Sequence, residues 1–332
     1  NGTIAATTLT DITAQTGGTV TAAAAGITIS GTTEQVTAAI VTEATKAVME
    51  NGAVRLTDTG TVAATVLSAI GGTTEGTVTV AGAMTITGST EQIKNALVTE
   101  SSKVIATASA NVTFVGDNPT GAELADINDA AGGTITLADN SQTFTGTAAQ
   151  MKSAFAGGLA GTQTGAVKIS DTTGTIAATT LTDITAQTDG TVTAAASGIT
   201  IEGTTEEVTA AIVTGGTKAV MANGAVRLTD TGTVAATVLS GIGGTTGGTV
   251  TVVGAMTITG STEEITNALV TETSKVVATT SGNVTFVGDN PTGAQLALIN
   301  NAAGGTITLN ANGQTFTGTA AQMKSAFAGG LA

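Results

Sequence analysis

The residues best able to do chemistry in this chain are two aspartates in the same four-residue motif, Asp58-Thr59-Gly60-Thr61 and Asp230-Thr231-Gly232-Thr233. Paired carboxylates in symmetric turns can share a proton and activate water when apolar residues flank them and an aromatic flap excludes solvent. Here Thr57 and Thr229 precede the aspartates, and the chain has neither Tyr nor Trp. Related positions read Asp117-Asn118-Pro119 and Asp171-Thr172-Thr173, so the aspartate stays while the rest of the motif is lost. That pattern predicts a strand-end or helix-capping carboxylate. His and Cys are absent, which removes Ser-His-Asp and Cys-His nucleophiles and leaves carboxylates alone to bind metals. Calcium needs only oxygen ligands, and Asp117, Asn118, Asp139, Asn140, Asp289 and Asn290 supply them at turns. They come as isolated pairs, without an Asp-x-Asp-x-Asp-Gly loop, so calcium stands as the alternative to ordinary turn chemistry. Gly71-Gly72-Thr73-Thr74-Glu75-Gly76 and Gly243-Gly244-Thr245-Thr246-Gly247-Gly248 lack the Lys of a phosphate loop and read as helix C-caps and turns. Asn111-Val112-Thr113 and Asn283-Val284-Thr285 fit a glycosylation acceptor but fall within strand patterns. No catalytic residue and no cofactor emerges, and the chain is expected to be non-enzymatic.

The elements that hold these residues come from a duplication. Residues 2–160 return at 174–332 without insertion or deletion, and 22 of the 159 aligned positions differ. The expected organisation is one long repeat over 1–172 and a second, with its third part truncated, over 173–332, forming one array without a true linker. Leu9, Leu67, Leu124 and Leu181 recur at about 57 residues, each followed three residues later by Ile12, Ile70, Ile127 or Ile184. Midway lie Val36 with Ile40, Ile93 with Leu97, and Met151 with Phe155. The elementary step is therefore about 29 residues, used about twelve times.

Spacings of three and four behind Thr, Ser or Asp predict short capped helices. Between them Thr77-Val78-Thr79-Val80 and Met84-Thr85-Ile86-Thr87 alternate apolar residues with Thr, the period of half-buried strands. Outward Thr77, Thr79, Thr85 and Thr87 suit an exposed strand face; an ice-binding lattice would be interrupted by the helices. Asn51-Gly52, Asn223-Gly224 and Asn312-Gly313 predict tight hairpin turns. The expected fold class is an α/β, solenoid-like repeat of strand, turn, strand and short helix, stacked into a continuous sheet-based rod whose chain direction reverses at each step; helices on one face or on alternating faces, and a coil in which the two strands of each unit form separate walls, stay open as alternatives. Exchanges such as Gly17 for Asp189 and Asp126 for Leu298 mark the expected surface, while the apolar frame is kept.

Composition narrows the partners. Seventy-five Thr and 45 Gly against two Pro and six Phe suit short strands around a thin aliphatic core. Twenty-four acidic and ten basic residues set a net charge of −14, which opposes nucleic acid and anionic membrane surfaces. No apolar run approaches the roughly 20 residues needed to span a bilayer. Lack of Cys fits an exported bacterial protein. The absence of an initiator Met and the truncated final repeat lead to the expectation of an excerpt from a longer array.

The run Thr57-Asp58-Thr59-Gly60-Thr61-Val62-Ala63-Ala64-Thr65-Val66-Leu67-Ser68-Ala69-Ile70, followed by Gly76-Thr77-Val78-Thr79 and Ile86-Thr87-Gly88-Ser89-Thr90, resembles repeats of giant cell-surface proteins of marine cyanobacteria. The likeness covers essentially the whole chain. It implies an extracellular location at the bacterial cell surface and a role in the envelope, in filaments, or in motility and attachment. The expected function is a structural segment that builds a filament, surface layer or spacer, with neighbouring repeats and copies of itself as partners. A calcium-stabilised adhesin or ligand-binding repeat is the alternative.

Overall fold

The computed structural model describes residues 2–331 apart from 23, 43–46, 100–102, 107–109, 215–218, 272–275, 279–281 and 329–330. The chain forms two compact units, Asn1–Gly165 and Ala166–Ala332, so the physical division falls just before the repeat boundary.

The first unit opens with strand β1 (Gly2–Ala5), helix α1 (Ala6–Ala14), β2 (Val20–Thr21) and β3 (Ile27–Gly31). Helix α2 (Thr33–Val36) continues into a π-helical turn, Thr37–Val41, and is followed by β4 (Ala47–Val48), β5 (Ala53–Leu56) and β6 (Thr61–Ala63). Next come α3 (Ala64–Gly71), β7 (Val78–Val80), β8 (Thr85–Gly88), α4 (Thr90–Leu97), β9 (Val104–Ile105) and β10 (Asn111–Phe114). The unit closes with α5 (Gly121–Ala130), β11 (Ile135–Thr136), β12 (Phe144–Gly146) and α6 (Ala148–Ala156).

The second unit opens with β13 (Val167–Ile169). Then follow β14 (Thr173–Ala177), α7 (Ala178–Thr185), β15 (Val192–Thr193), β16 (Gly198–Gly203), α8 (Thr205–Val208) with its π turn Thr209–Val213, and β17 (Ala219–Val220). The remainder is β18 (Ala225–Leu228), β19 (Thr233–Ala235), α9 (Ala236–Gly243), β20 (Val250–Val252), β21 (Thr257–Gly260), α10 (Thr262–Leu269), β22 (Val276–Val277), β23 (Asn283–Phe286), α11 (Gly293–Ala302), β24 (Ile307–Thr308) and α12 (Ala320–Ala326).

The fold class is α/β with several parallel sheets. In the first unit the orders are β1-β3-β5-β7-β9, β6-β8-β10-β11 and β2-β4; in the second, β14-β16-β18-β20-β22, β19-β21-β23-β24 and β13-β15-β17. Registers such as Gly2↔Ile27, Thr28↔Ala53 and Val54↔Val78 join each strand to one about 25 residues on. This corrects two expectations. Asn51-Gly52 and Asn223-Gly224 do not close hairpins: β4 and β5, or β17 and β18, flank them in different sheets. Nor does chain direction reverse at each step, because the paired strands are parallel. The expected single sheet is instead a succession of sheets of two to five strands.

The stagger of those sheets has a geometric basis. Helices α1 to α6 start at Ala6, Thr33, Ala64, Thr90, Gly121 and Ala148, a longer step on average than the strand registers. Consecutive helices such as α3 with α4 and α5 with α6 pack on each other. Packed helices need about 8–10 Å and neighbouring strands only about 4.8 Å, so a helix row and one sheet advance at different rates. Strands β1 and β3 accordingly run straight into helices, whereas β5, β7 and β9 of the same sheet are each followed by a strand of the next sheet.

Helix starts are of two kinds. Helices α2, α4, α5 and α6 carry capping boxes from Thr32, Ser89, Thr120 and Thr147 with Gln35, Gln92, Glu123 and Gln150, satisfying otherwise orphaned N–H groups. Helices α1 and α3 begin behind Ala5 and Ala63 without a side-chain cap. The periodic apolar residues form the core: Leu9, Val36, Leu67, Ile70, Ile93, Leu97, Leu124, Ile127, Met151 and Phe155 are buried. Ile12 is the exception at 49% exposed, while its counterpart Ile184 is at 0%. Leu298 lies exposed on α11, in keeping with its exchange for Asp126.

Candidate functional site

The polar residues singled out by sequence converge on helix N-termini and inter-strand turns. A capping box leaves the first helical N–H of α2 unfilled, and Asp58, from the loop 25 residues later, fills it. Thr33 N donates to Asp58 Oδ2 at 2.8 Å, and Thr33 Oγ1 donates to Oδ1 at 2.8 Å. Asp230 repeats this on α8, accepting from Thr205 N at 2.7 Å and Thr205 Oγ1 at 2.8 Å. Asp117 accepts from Thr90 N of α4 at 2.9 Å, and Asp289 from Thr262 N of α10 at 2.8 Å. A carboxylate at a helix N-terminus gains from the helix dipole as well as from the hydrogen bond. The cap was legible in the sequence as a turn carboxylate; its target, the preceding helix, was not.

Both oxygens of Asp58 and of Asp230 are thus engaged within their own units.

Neighbouring asparagines join successive strands. Asn111 Oδ1 accepts from Thr134 N at 2.9 Å, and Asn283 Oδ1 from Thr306 N at 2.8 Å, so these acceptor-motif asparagines serve sheet ends. Asn118 Oδ1 accepts from Ala138 N at 2.7 Å while its Nδ2 donates to Asp139 O at 2.8 Å. Asn128 Nδ2 of α5 donates to Ser153 O of α6 at 2.7 Å, and Asn300 repeats this with Ser325 O at 2.9 Å. Sequence reading missed Asn128 and Asn300; a polar residue recurring beside the buried Ile of a helix was the available signal.

The calcium candidates are distributed over this network. The Asp117-Asn118 turn meets the Asp139-Asn140 turn through Asn118. Asp139 Oδ1 accepts from Ser141 N at 2.8 Å and Ser141 Oγ at 2.7 Å, which holds its carboxyl below the usual range. Asn140 Oδ1 accepts from Gln163 Nε2 at 3.3 Å. In the second unit Ala311 stands where Asp139 stands in the first, yet Asn290 still accepts from Asn310 N at 2.8 Å. The bridge is kept and the carboxylate dropped. Among the described residues no cluster of three or more His, Cys, Asp or Glu side chains is placed to hold a metal.

Three depressions lie near the capped helices. One of about 460 Å³ is lined by Thr33, Glu34, Thr37, Thr42, Val62 and Val66, and its counterpart of about 430 Å³ by Thr205, Glu206, Thr209, Thr214, Val234 and Val238. A more polar one of about 390 Å³ is bordered by Thr90, Lys94, Asp117 and Glu123. Lys94 Nζ meets Glu123 Oε1 there at 2.8 Å. That hydrogen bond lowers the Glu123 carboxyl and raises the Lys94 ammonium from their ordinary values. The second unit has Thr266 and Gln295 at these positions, so both partners of the pair changed together. The glycine-rich stretch ending at Gly76 caps α3 and then turns, with Thr74 Oγ1 donating to Gly52 O at 2.5 Å.

No known protein family and no curated protein matches the sequence.

Proposed function

We propose that this chain is a non-enzymatic structural repeat segment of a large extracellular surface protein, building a filament, surface layer or spacer. In this reading the steps of about 29 residues stack as a solenoid. Export to a bacterial cell surface follows from the resemblance to cyanobacterial surface repeats and fits the acidic, Cys-free composition. The observation that carries the reading is the use made of the chemistry-bearing side chains: Asp58, Asp117, Asp230 and Asp289 each reach back to the helix of the preceding step. In a repeat array stability comes from such neighbour contacts, so length scales with repeat number.

Negative-stain electron microscopy of the purified chain tests this. Rods of uniform width that grow end to end are expected; two compact lobes around a cleft would overturn the reading. The twin depressions at Thr33 and Thr205 favour, as a second reading, a ligand-binding repeat of adhesin type. Its calcium-stabilised form predicts that a chelator lowers the melting temperature, and an unchanged transition would exclude that form.

A further inference from the structure

The sheet β6-β8-β10-β11 begins at β6, and β19-β21-β23-β24 begins at β19; among the described residues neither first strand has a partner on its other side. The fold itself makes these edges. About 25 residues before Thr61, where a preceding strand would stand, the chain is in helix α2, and α8 holds the same place before Thr233. A complete unit precedes β19, yet its edge is open in the same way. Thr85 N donates to Gly60 O and Thr257 N to Gly232 O, both at 2.9 Å. Successive residues of a strand send their backbone groups to opposite sides, so the N–H groups of Thr61 and Ala63, like those of Thr233 and Ala235, turn away from the sheet. These four residues line the twin depressions of about 460 and 430 Å³, which Thr33, Glu34 and Thr37 of the first unit or Thr205, Glu206 and Thr209 of the second also line. All lining residues are the same in the two units. Glu34 and Glu206 are exposed, and among the described residues neither forms an ion pair. Asp58 and Asp230, bonded to Thr33 and Thr205, add a second carboxylate beside each depression.

We propose that each depression takes an extended basic segment of a partner protein, added as a strand at the open edge of β6 or β19. Two N–H groups at alternate residues call for carbonyl oxygens at the same spacing, which an extended backbone supplies. Val62 and Val234 are buried between the two outward residues of their strands, so the residue of the added strand beside each is a small apolar one, sharing its face of the sheet. The residues on either side of it point outward, where the free carboxylates of Glu34 and Glu206 attract Lys or Arg. No Lys or Arg lines either depression. The net charge of −14 opposes a second copy as the occupant and favours a basic partner. The inference goes beyond the structural-repeat reading and rests on the ligand-binding reading of these depressions.

The test is amide hydrogen exchange of the full 332-residue chain, read by nuclear magnetic resonance, with the end-blocked peptide Thr-Val-Lys-Val-Lys-Val-Thr. We expect at least tenfold slower exchange at Thr61, Ala63, Thr233 and Ala235, and at least tenfold weaker binding when Glu replaces both lysines of the peptide. A Glu34→Gln, Glu206→Gln chain, changed only at exposed side chains, is expected to bind at least threefold more weakly. Unchanged exchange at all four amides at millimolar peptide, or equal protection by the Glu peptide, overturns the proposal. Protection that arises without peptide and grows with protein concentration would assign the edges to a second copy and overturn it as well. Saturable binding that shifts the Thr33 and Thr205 resonances but leaves the four amides unprotected would remove strand addition and keep the ligand-binding reading. Protection of the four amides in a molecule that forms no rods would remove the filament reading alone.

Discussion

Phe155 and Phe327 occupy one position of the long repeat, and each meets a second phenylalanine edge to face. The Phe144–Phe155 centroids lie 5.5 Å apart and the Phe316–Phe327 centroids 5.4 Å apart. Their surroundings differ: Phe155 is 2% exposed and Phe327 is 44% exposed. Truncating a buried Phe to Ala costs about 3–5 kcal/mol, from lost transfer energy and the cavity left behind. At Phe327 the aromatic pair of about 0.5–1.5 kcal/mol is lost with only about half the transfer energy of about 1.5–3 kcal/mol, and little cavity forms. The expected costs are therefore about 4 kcal/mol for Phe155→Ala and about 2 kcal/mol for Phe327→Ala. Native-state hydrogen exchange at the core amides of the unit carrying each change measures both in one chain, each 1.4 kcal/mol of lost stability speeding globally protected exchange about tenfold. Equal losses at the two sites would refute the argument that burial, rather than the aromatic pair, decides the cost.

Asp58→Asn keeps the shape but removes the charge facing Thr33 N and Oγ1, and is expected to cost about 1–2 kcal/mol; an unchanged melting temperature would show that the carboxylate does not hold α2. Gly82→Ala places a Cβ against the Asp58 carbonyl oxygen and Gly254→Ala against that of Asp230, so each is expected to lower the melting temperature, with Gly60→Ala, where space is open, as the control. The half-exposed Lys94–Glu123 pair contributes under about 1 kcal/mol, so a Lys94→Thr, Glu123→Gln double variant is expected to match the parent closely at neutral pH in urea unfolding. Because the folded-state pKa of Glu123 is lowered, its contribution is present above the ordinary carboxylate range and disappears as pH falls through the folded value. The raised pKa of Lys94 makes its contribution complete below the ordinary lysine range and lost only as pH rises through the folded value. The double variant should accordingly lose less stability than the parent on acidification, and an identical acid profile would count against the pair.

The sequence by itself determined the duplication, the step, the helices, the capping residues of α2, α4, α5 and α6 though not the uncapped starts of α1 and α3, and nearly all of the core. These depend on short-range physics: apolar residues three or four apart share a helix face, and Thr or Ser three residues before Gln or Glu closes a capping box, as Thr32 does with Gln35. It also placed Asp58 and Asp117 at turns. Only the tertiary structure decided what those residues reach and which strands pair. Asn51-Gly52 is locally fit for a hairpin, yet β5 pairs in parallel with β3 and β7. The exposure of Ile12 beside the burial of Ile184 shows the same limit, since identical helical faces differ with what the folded chain sets around them. A turn motif or a helical period is written in adjacent residues, whereas partner choice across about 25 residues depends on how helices and strands of unequal width pack against one another.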